Sequence, residues 1–248
     1  MEELSIASTL DGSLQSSLFY SASGIKPEPL LVGLHTWSGD RWNMADVLMP
    51  LAREMNWNLL LPEFRGPNTV SNPQANLACG SVYAKQDIVD AVESVKLNNN
   101  IDHNIILLLG GSGGGHMALL MAAYAYRLWK AVAAFVPITD LNAWYHENND
   151  YMPHVEYCCG GKPEGAALKE YADRSPVSYT DDIAKGNVAI FHGKFDNVVP
   201  YTHSTVLYGQ ICRKYPEARV FLDIFDGGHQ IVVQKAKDWF LQQLALPI

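Results

Sequence analysis

Short apolar runs alternate along this chain with stretches of helical spacing. Residues 30–34, 58–61, 105–109, 131–136, 188–191 and 219–224 are four to six residues long and largely apolar. Runs of this length that do not alternate with polar residues suit strands buried on both faces, as in a parallel sheet. Between them, residues 44–55 have helical spacing, and residues 83–96 place Ile88, Val92 and Val95 on one face. Residues 117–129 predict a strongly apolar helix, and two more helices are expected around Val206 and Val233. Residues 5–10 and 14–20 flank Asp11-Gly12, which predicts an N-terminal β-hairpin. Repeated strand–helix units after a hairpin predict an α/β fold with a doubly wound, mainly parallel sheet.

Two stretches break the alternation. Residues 62–80 form a loop rich in Pro, Asn and Gly, and residues 139–185 read as irregular, with Tyr, Trp, His and Cys at weak periodicity. The part from 142 to 185 is too long for a simple connection and is expected to be a cap inserted into one domain spanning residues 1–248.

Composition narrows the function classes. The chain has 248 residues, 48% of them hydrophobic and 18% charged, with a formal net charge of −8 and no cluster of Lys and Arg. Phosphate backbones and anionic membranes need concentrated positive charge, so neither nucleic acid nor a membrane is an expected partner. No apolar run approaches the length of a membrane span. The first ten residues carry Glu2 and Glu3 and lack a basic n-region, so no signal peptide is expected. Cys79, Cys158, Cys159 and Cys212 form no C-x-x-C pair, which removes support for a zinc or thioredoxin-type site. Reduced thiols and a cytoplasmic location are the expectation. Homo-oligomerisation is left open.

The candidate chemistry begins where the run at 105–109 meets Gly110-Gly111-Ser112-Gly113-Gly114. This matches G-x-S-x-G, and a buried strand before it and an apolar helix after it are the context of a nucleophile elbow. The bland alternative is a glycine-rich turn that allows close packing or cradles a phosphate. A P-loop would need Gly-Lys-Ser/Thr at the helix start, whereas this chain has Gly115-His116-Met117. A dinucleotide fingerprint would need Gly or Ala where His116 stands.

A serine needs a base to take its proton, and the base needs an acid to orient it. In α/β-hydrolases these partners follow the serine in the order acid, then histidine. Asp196 lies just past the run at 188–191, and His229 lies in the Asp226-Gly227-Gly228 turn after the last strand. Both fall at C-terminal ends of strands, where open α/β sheets build their sites. For the oxyanion, the backbone N–H of Gly113 is one expected donor. Trp37 N–H, in the loop after residues 30–34, is the other, with Thr36 as the fallback. A metal set could be drawn from His192, Asp196, His203 and His229, but no close ligand spacing supports it, so neither metal nor cofactor is expected.

These segments resemble the catalytic domain of the prolyl oligopeptidase family of serine peptidases and its esterase-like relatives. The resemblance rests on Thr9-Leu10-Asp11-Gly12, Leu61-Pro62-Glu63-Phe64-Arg65-Gly66, the Ser112 elbow, and Pro137-Ile138-Thr139-Asp140-Leu141 with Trp144-Tyr145. Arg174-Ser175-Pro176 and the Asp196 and His229 segments extend it over nearly the whole chain. It implies an α/β-hydrolase fold, the triad Ser112, Asp196 and His229, and hydrolysis of peptide or ester bonds; the leading expectation is a serine hydrolase that cleaves a small ester or short-peptide substrate through a covalent acyl-enzyme. The family's His-Gly after the early strand is His35-Thr36 here, and there is no room for the N-terminal propeller of its large peptidases. Substrate selection would then fall to the cap, where Glu147, Asp150 and Glu156 could meet an amino group, to a partner subunit, or to nothing elaborate. A catalytically silent α/β-hydrolase scaffold that binds a ligand or partner is the alternative reading.

Overall fold

The computed structural model describes residues 1–245. Eight strands form one sheet: β1 (Glu2–Ala7), β2 (Leu14–Tyr20), β3 (Glu28–Leu34), β4 (Asn58–Pro62), β5 (Ile101–Gly111), β6 (Ala131–Phe135), β7 (Val188–Gly193) and β8 (Val220–Phe225). Their order is β1-β2-β4-β3-β5-β6-β7-β8. The first two strands pair antiparallel with their neighbours, and all pairs from β4 to β8 are parallel.

Alternate residues of each strand face opposite layers, as the two-residue strand period requires. Leu30, Val32 and Leu108 pack toward α2 (Val82–Asn98), α3 (Gly113–Tyr124) and α8 (Thr202–Lys214). Leu31, Leu107 and Leu109 face α1 (Ala45–Met55) and α9 (Val233–Ala245) instead. Both faces are therefore covered, which is why the strands are apolar without alternation. No helix among the described residues is long and apolar enough to cross a membrane.

Three sequence expectations shift. The hairpin forms, but β1 starts at Glu2 and ends at Ala7, so Ala7 pairs with Leu14 across a six-residue connection rather than a tight Asp11-Gly12 turn. Within that connection Asp11 accepts from Ser13 and also from Arg65, and Thr9 donates to Asp90. The helix after β5 begins at Gly113 rather than 117 and ends at Tyr124 rather than 129. Its glycines are helical, and Ala125 leaves the helix at φ −134°.

The stretch from 139 to 185 is not irregular. It holds α4 (Leu141–Glu147), α5 (Met152–Cys159), α6 (Ala167–Asp173), a 3-10 turn (Pro176–Tyr179) and α7 (Thr180–Ile183). These helices have four to eight residues, too few to display a period. Caps define them better: Asp140 Oδ1 accepts from Asn142 N and Ala143 N, and Gly160 ends α5 at φ 78°. Trp144, Tyr145, Val155 and Tyr171 from these helices meet Trp37 and Val199 in a third apolar cluster.

Candidate active site

Ser112 stands between β5 and α3 at φ 57°, ψ −121°. A non-glycine residue there is strained by about 1–3 kcal/mol, and it persists only because its surroundings over-determine it. The neighbours leave no slack. A Cβ on Gly110 would lie 2.1 Å from Gly114 O, and one on Gly114 would lie 2.3 Å from Leu34 O. Ser112 N donates to Phe135 O at 2.9 Å, which ties the turn to β6. The serine is thus held at the tip of a strand–turn–helix.

The acid and base candidates come together on the loops after β7 and β8. His229 Nδ1–H donates to Asp196 Oδ2 at 2.7 Å. Since a carboxylate only accepts, this bond fixes the tautomer and leaves Nε2 free to take a proton. Asp196 Oδ1 accepts from Val198 N and Val199 N, each at 2.9 Å. Burial opposes the charge on Asp196, but hydrogen bonds from His192 and His229, and from the two backbone N–H groups, outweigh it. Its carboxyl is held well below the usual carboxylate range. The two loops are in close contact: a Cβ on Gly193 would lie 2.1 Å from Gly228 O.

His192, named above only in the metal set, is buried beside the acid. Its Nε2–H donates to Val199 O at 2.8 Å and lies 3.3 Å from Asp196 Oδ2. Nδ1 then accepts from Ser204 Oγ at 2.7 Å. The Phe191-His192-Gly193 run ahead of Asp196 was the only sequence signal for this contact.

Ser112 and His229 line one cavity of about 410 Å³ with Trp37, Val47, Tyr151 and Ile231. Among the described residues no Asp, Glu, Lys or Arg lines it. Two backbone donors are candidates for the oxyanion. Gly113 opens α3, so its N–H has no intrahelical acceptor. Trp37 N–H makes no hydrogen bond among the described residues, whereas Thr36 N–H already donates to Asn43 Oδ1 at 3.0 Å. The Trp37 backbone lies hard against Gly113, where a Cβ would be 2.5 Å from Trp37 N. The Trp37 ring packs edge-on against Trp144, with ring centroids 4.9 Å apart.

Glu147, Asp150 and Glu156, expected as acids of a cap, lie elsewhere. Glu147 pairs with His203 Nε2 at 2.9 Å, Glu156 accepts from the Tyr145 hydroxyl at 2.5 Å, and Asp150 is exposed; none lines the Ser112 cavity. Among the described residues no group of three or more His, Cys, Asp or Glu is arranged to hold a metal ion. Tyr151 and Ile231, which wall the cavity, carried no sequence signal.

A mainly parallel sheet with helices on both faces and a strained serine elbow at the end of β5 defines the α/β-hydrolase fold. Residues 80–245 match the prolyl oligopeptidase family, and the chain belongs to that family. It is 24% identical over 213 residues to the acylamino-acid-releasing enzyme of Mus musculus, covering 78% of this chain and 28% of that protein. The chain therefore spans little more than a quarter of that relative's length. An acylaminoacyl peptidase from Pyrococcus horikoshii superposes with a TM-score of 0.73 at 16% identity, over 98% of this chain and 40% of that one. An esterase from Pyrococcus furiosus superposes with a TM-score of 0.70 at 18% identity, over 97% of this chain and 89% of that one. At these identities the two structures share the fold.

Proposed function

We propose that this protein is a serine hydrolase that cleaves a small ester or peptide bond through a covalent acyl-enzyme. The observation that carries the reading is the Asp196–His229 hydrogen bond, which leaves His229 Nε2 free beside the cavity that Ser112 also lines. Ser112 Oγ attacks the substrate carbonyl while His229 Nε2 takes its proton, and Asp196 stabilises the imidazolium that forms. Gly113 N–H and Trp37 N–H hold the oxyanion, each donor contributing about 10²–10³ in rate. His229 returns the proton to the leaving group, and water then releases the acyl group by the same steps reversed.

The uncharged, mainly apolar cavity supports a small neutral acyl group. A free α-amine would find no carboxylate there, since Glu147 and Glu156 are committed to His203 and Tyr145. Relatives described as acylaminoacyl peptidases and as an esterase are consistent with either leaving group.

A fluorophosphonate probe should label the purified protein, and Ser112→Ala should abolish labelling. Labelling that persists in Ser112→Ala would overturn the assignment. The same sample should turn over p-nitrophenyl esters of short acyl chains, and N-acetylated aminoacyl arylamides better than their free-amine counterparts.

A further inference from the structure

The acid of the proposed triad is not held by its own loop alone. Val198 O accepts two hydrogen bonds from the cap, one from Trp144 Nε1 and one from Asn148 Nδ2, each at 3.0 Å. Two donors use both lone pairs of that carbonyl. The same peptide unit carries Val199 N–H on its far side, because carbonyl and N–H point in opposite directions across a planar trans peptide. Val199 N–H donates to Asp196 Oδ1 at 2.9 Å. One rigid plane is therefore gripped by α4 at one end and by the carboxylate at the other. Donors on the carbonyl also polarise the peptide and strengthen its N–H as a donor.

The gripping residues are themselves anchored. Trp144 is buried on α4, and Asn148 caps the C-terminal end of that helix. The helix is fixed at its start by Asp140 and by Leu141 N, which donates to Ser175 Oγ at 2.8 Å. Glu147 ties its last turn to His203 on α8. None of these anchors passes through Val198, so α4 can position the loop rather than follow it.

We propose that Asn148 and Trp144 are positioning residues that act on the reaction through Asp196, with α4 serving as a brace for the acid loop. The inference rests on the serine hydrolase reading above. Trp144 also packs on Trp37 and Tyr151, so Asn148 is the cleaner probe. Asn148→Asp keeps the shape of the side chain, removes both amide donors and sets a carboxylate oxygen against Val198 O.

The experiment is fluorophosphonate labelling resolved into the maximal rate of inactivation and the inhibitor affinity, with the thermal midpoint recorded for each variant. Asn148→Asp should slow the maximal rate by about 10- to 100-fold with the affinity unchanged. Asn148→Ser should do the same to a lesser degree, and it serves if the aspartate variant does not fold. Placed in an Asp196→Ala background and followed over longer incubations, the Asn148 change should slow labelling no further, since its route to Ser112 is already cut. A merely structural role would slow both backgrounds equally. Equal slowing, weakened affinity alone, or no slowing overturns the brace. If labelling persists in Ser112→Ala, the hydrolase reading itself fails, and the brace falls with it.

Discussion

Gly113→Ala tests the oxyanion geometry at its tightest point. A Cβ at this position would lie 2.5 Å from Trp37 N and 2.6 Å from Trp37 Cα, whereas ordinary contact begins at 3.4 Å. These are backbone atoms, so no side-chain rotation relieves the overlap, and the Trp37 peptide must retreat by roughly an ångström. Movement of this residue is resisted because its ring packs on Trp144, 4.9 Å away centroid to centroid, and Trp37 O is held by Asn68 N at 2.8 Å. A displacement of that size takes one N–H away from the oxyanion, which costs about 100-fold in the chemical step, or about 2.7 kcal/mol. Alanine is otherwise favoured over glycine in a helix by about 1 kcal/mol, so α3 itself is not weakened by the change. The assay is p-nitrophenyl ester turnover with kcat and KM separated, alongside fluorophosphonate labelling. Gly115→Ala is the matched control. Its Cβ would lie 2.5 Å from Phe135 O, on the sheet side of the helix, and should lower the thermal midpoint more than the activity of the folded enzyme. A Gly113→Ala enzyme within about threefold of the parent in kcat would refute Trp37 as the second donor.

Two further outcomes concern stability. His116 is fully buried, its Nε2–H donates to Arg174 O at 2.6 Å, and burial pushes its pKa down from 6.5 to about 4. Between those two values the unfolded chain binds a proton that the folded protein refuses. Stability should therefore fall by roughly 3 kcal/mol as the pH drops from 6.5 to 4, and His116→Gln should flatten that part of a urea-unfolding profile. An unchanged profile would remove His116 from the account. Arg65 is buried and bridges Asp87 (Nε to Oδ2, 2.6 Å) and Asp11 (2.8 Å), joining the β1–β2 connection to α2. Arg65→Met leaves Asp87 buried without its cation and should cost about 3–5 kcal/mol in the same measurement, with a loss under about 1 kcal/mol contradicting the pairing.

The sheet and the serine turn were readable because their causes are local. A strand covered on both faces must be apolar throughout, and a serine at positive φ between close-packed backbones must have glycine neighbours. Those constraints act within a few residues, so runs such as 105–109 and Gly110–Gly114 carry them openly. The hairpin was displaced because its connection is tied at long range, Thr9 to Asp90 and Asp11 to Arg65, 54 positions away, while Asp11 Oδ1 also accepts from Ser13 inside the turn. Helices α4 to α7 escaped notice because each has fewer than nine residues and is fixed by tertiary packing, α4 to α6 in the cluster with Trp37 and Val199 and α7 through Ile183 in the main core. Ranges read from periodicity alone cannot include such elements.

The same distinction separates two layers of the site. Ser112, Asp196 and His229 each follow a strand, so chain order and strand ends suffice to nominate them. What orients them comes from segments far away in sequence: Trp144 and Asn148 reach Val198 across 50 or more positions, and Trp37 meets Trp144 across more than 100. A single short helix, α4, thereby touches both the acid loop and the oxyanion loop, and Trp144 also packs on Tyr151 in the cavity wall. Substrate pressing on Tyr151 would therefore bear on the helix that sets Asp196 and Trp37. Cap substitutions remote from Ser112 should for that reason alter kcat as well as KM. Substitutions at exposed positions away from the cavity, such as Glu93 on α2, should alter neither.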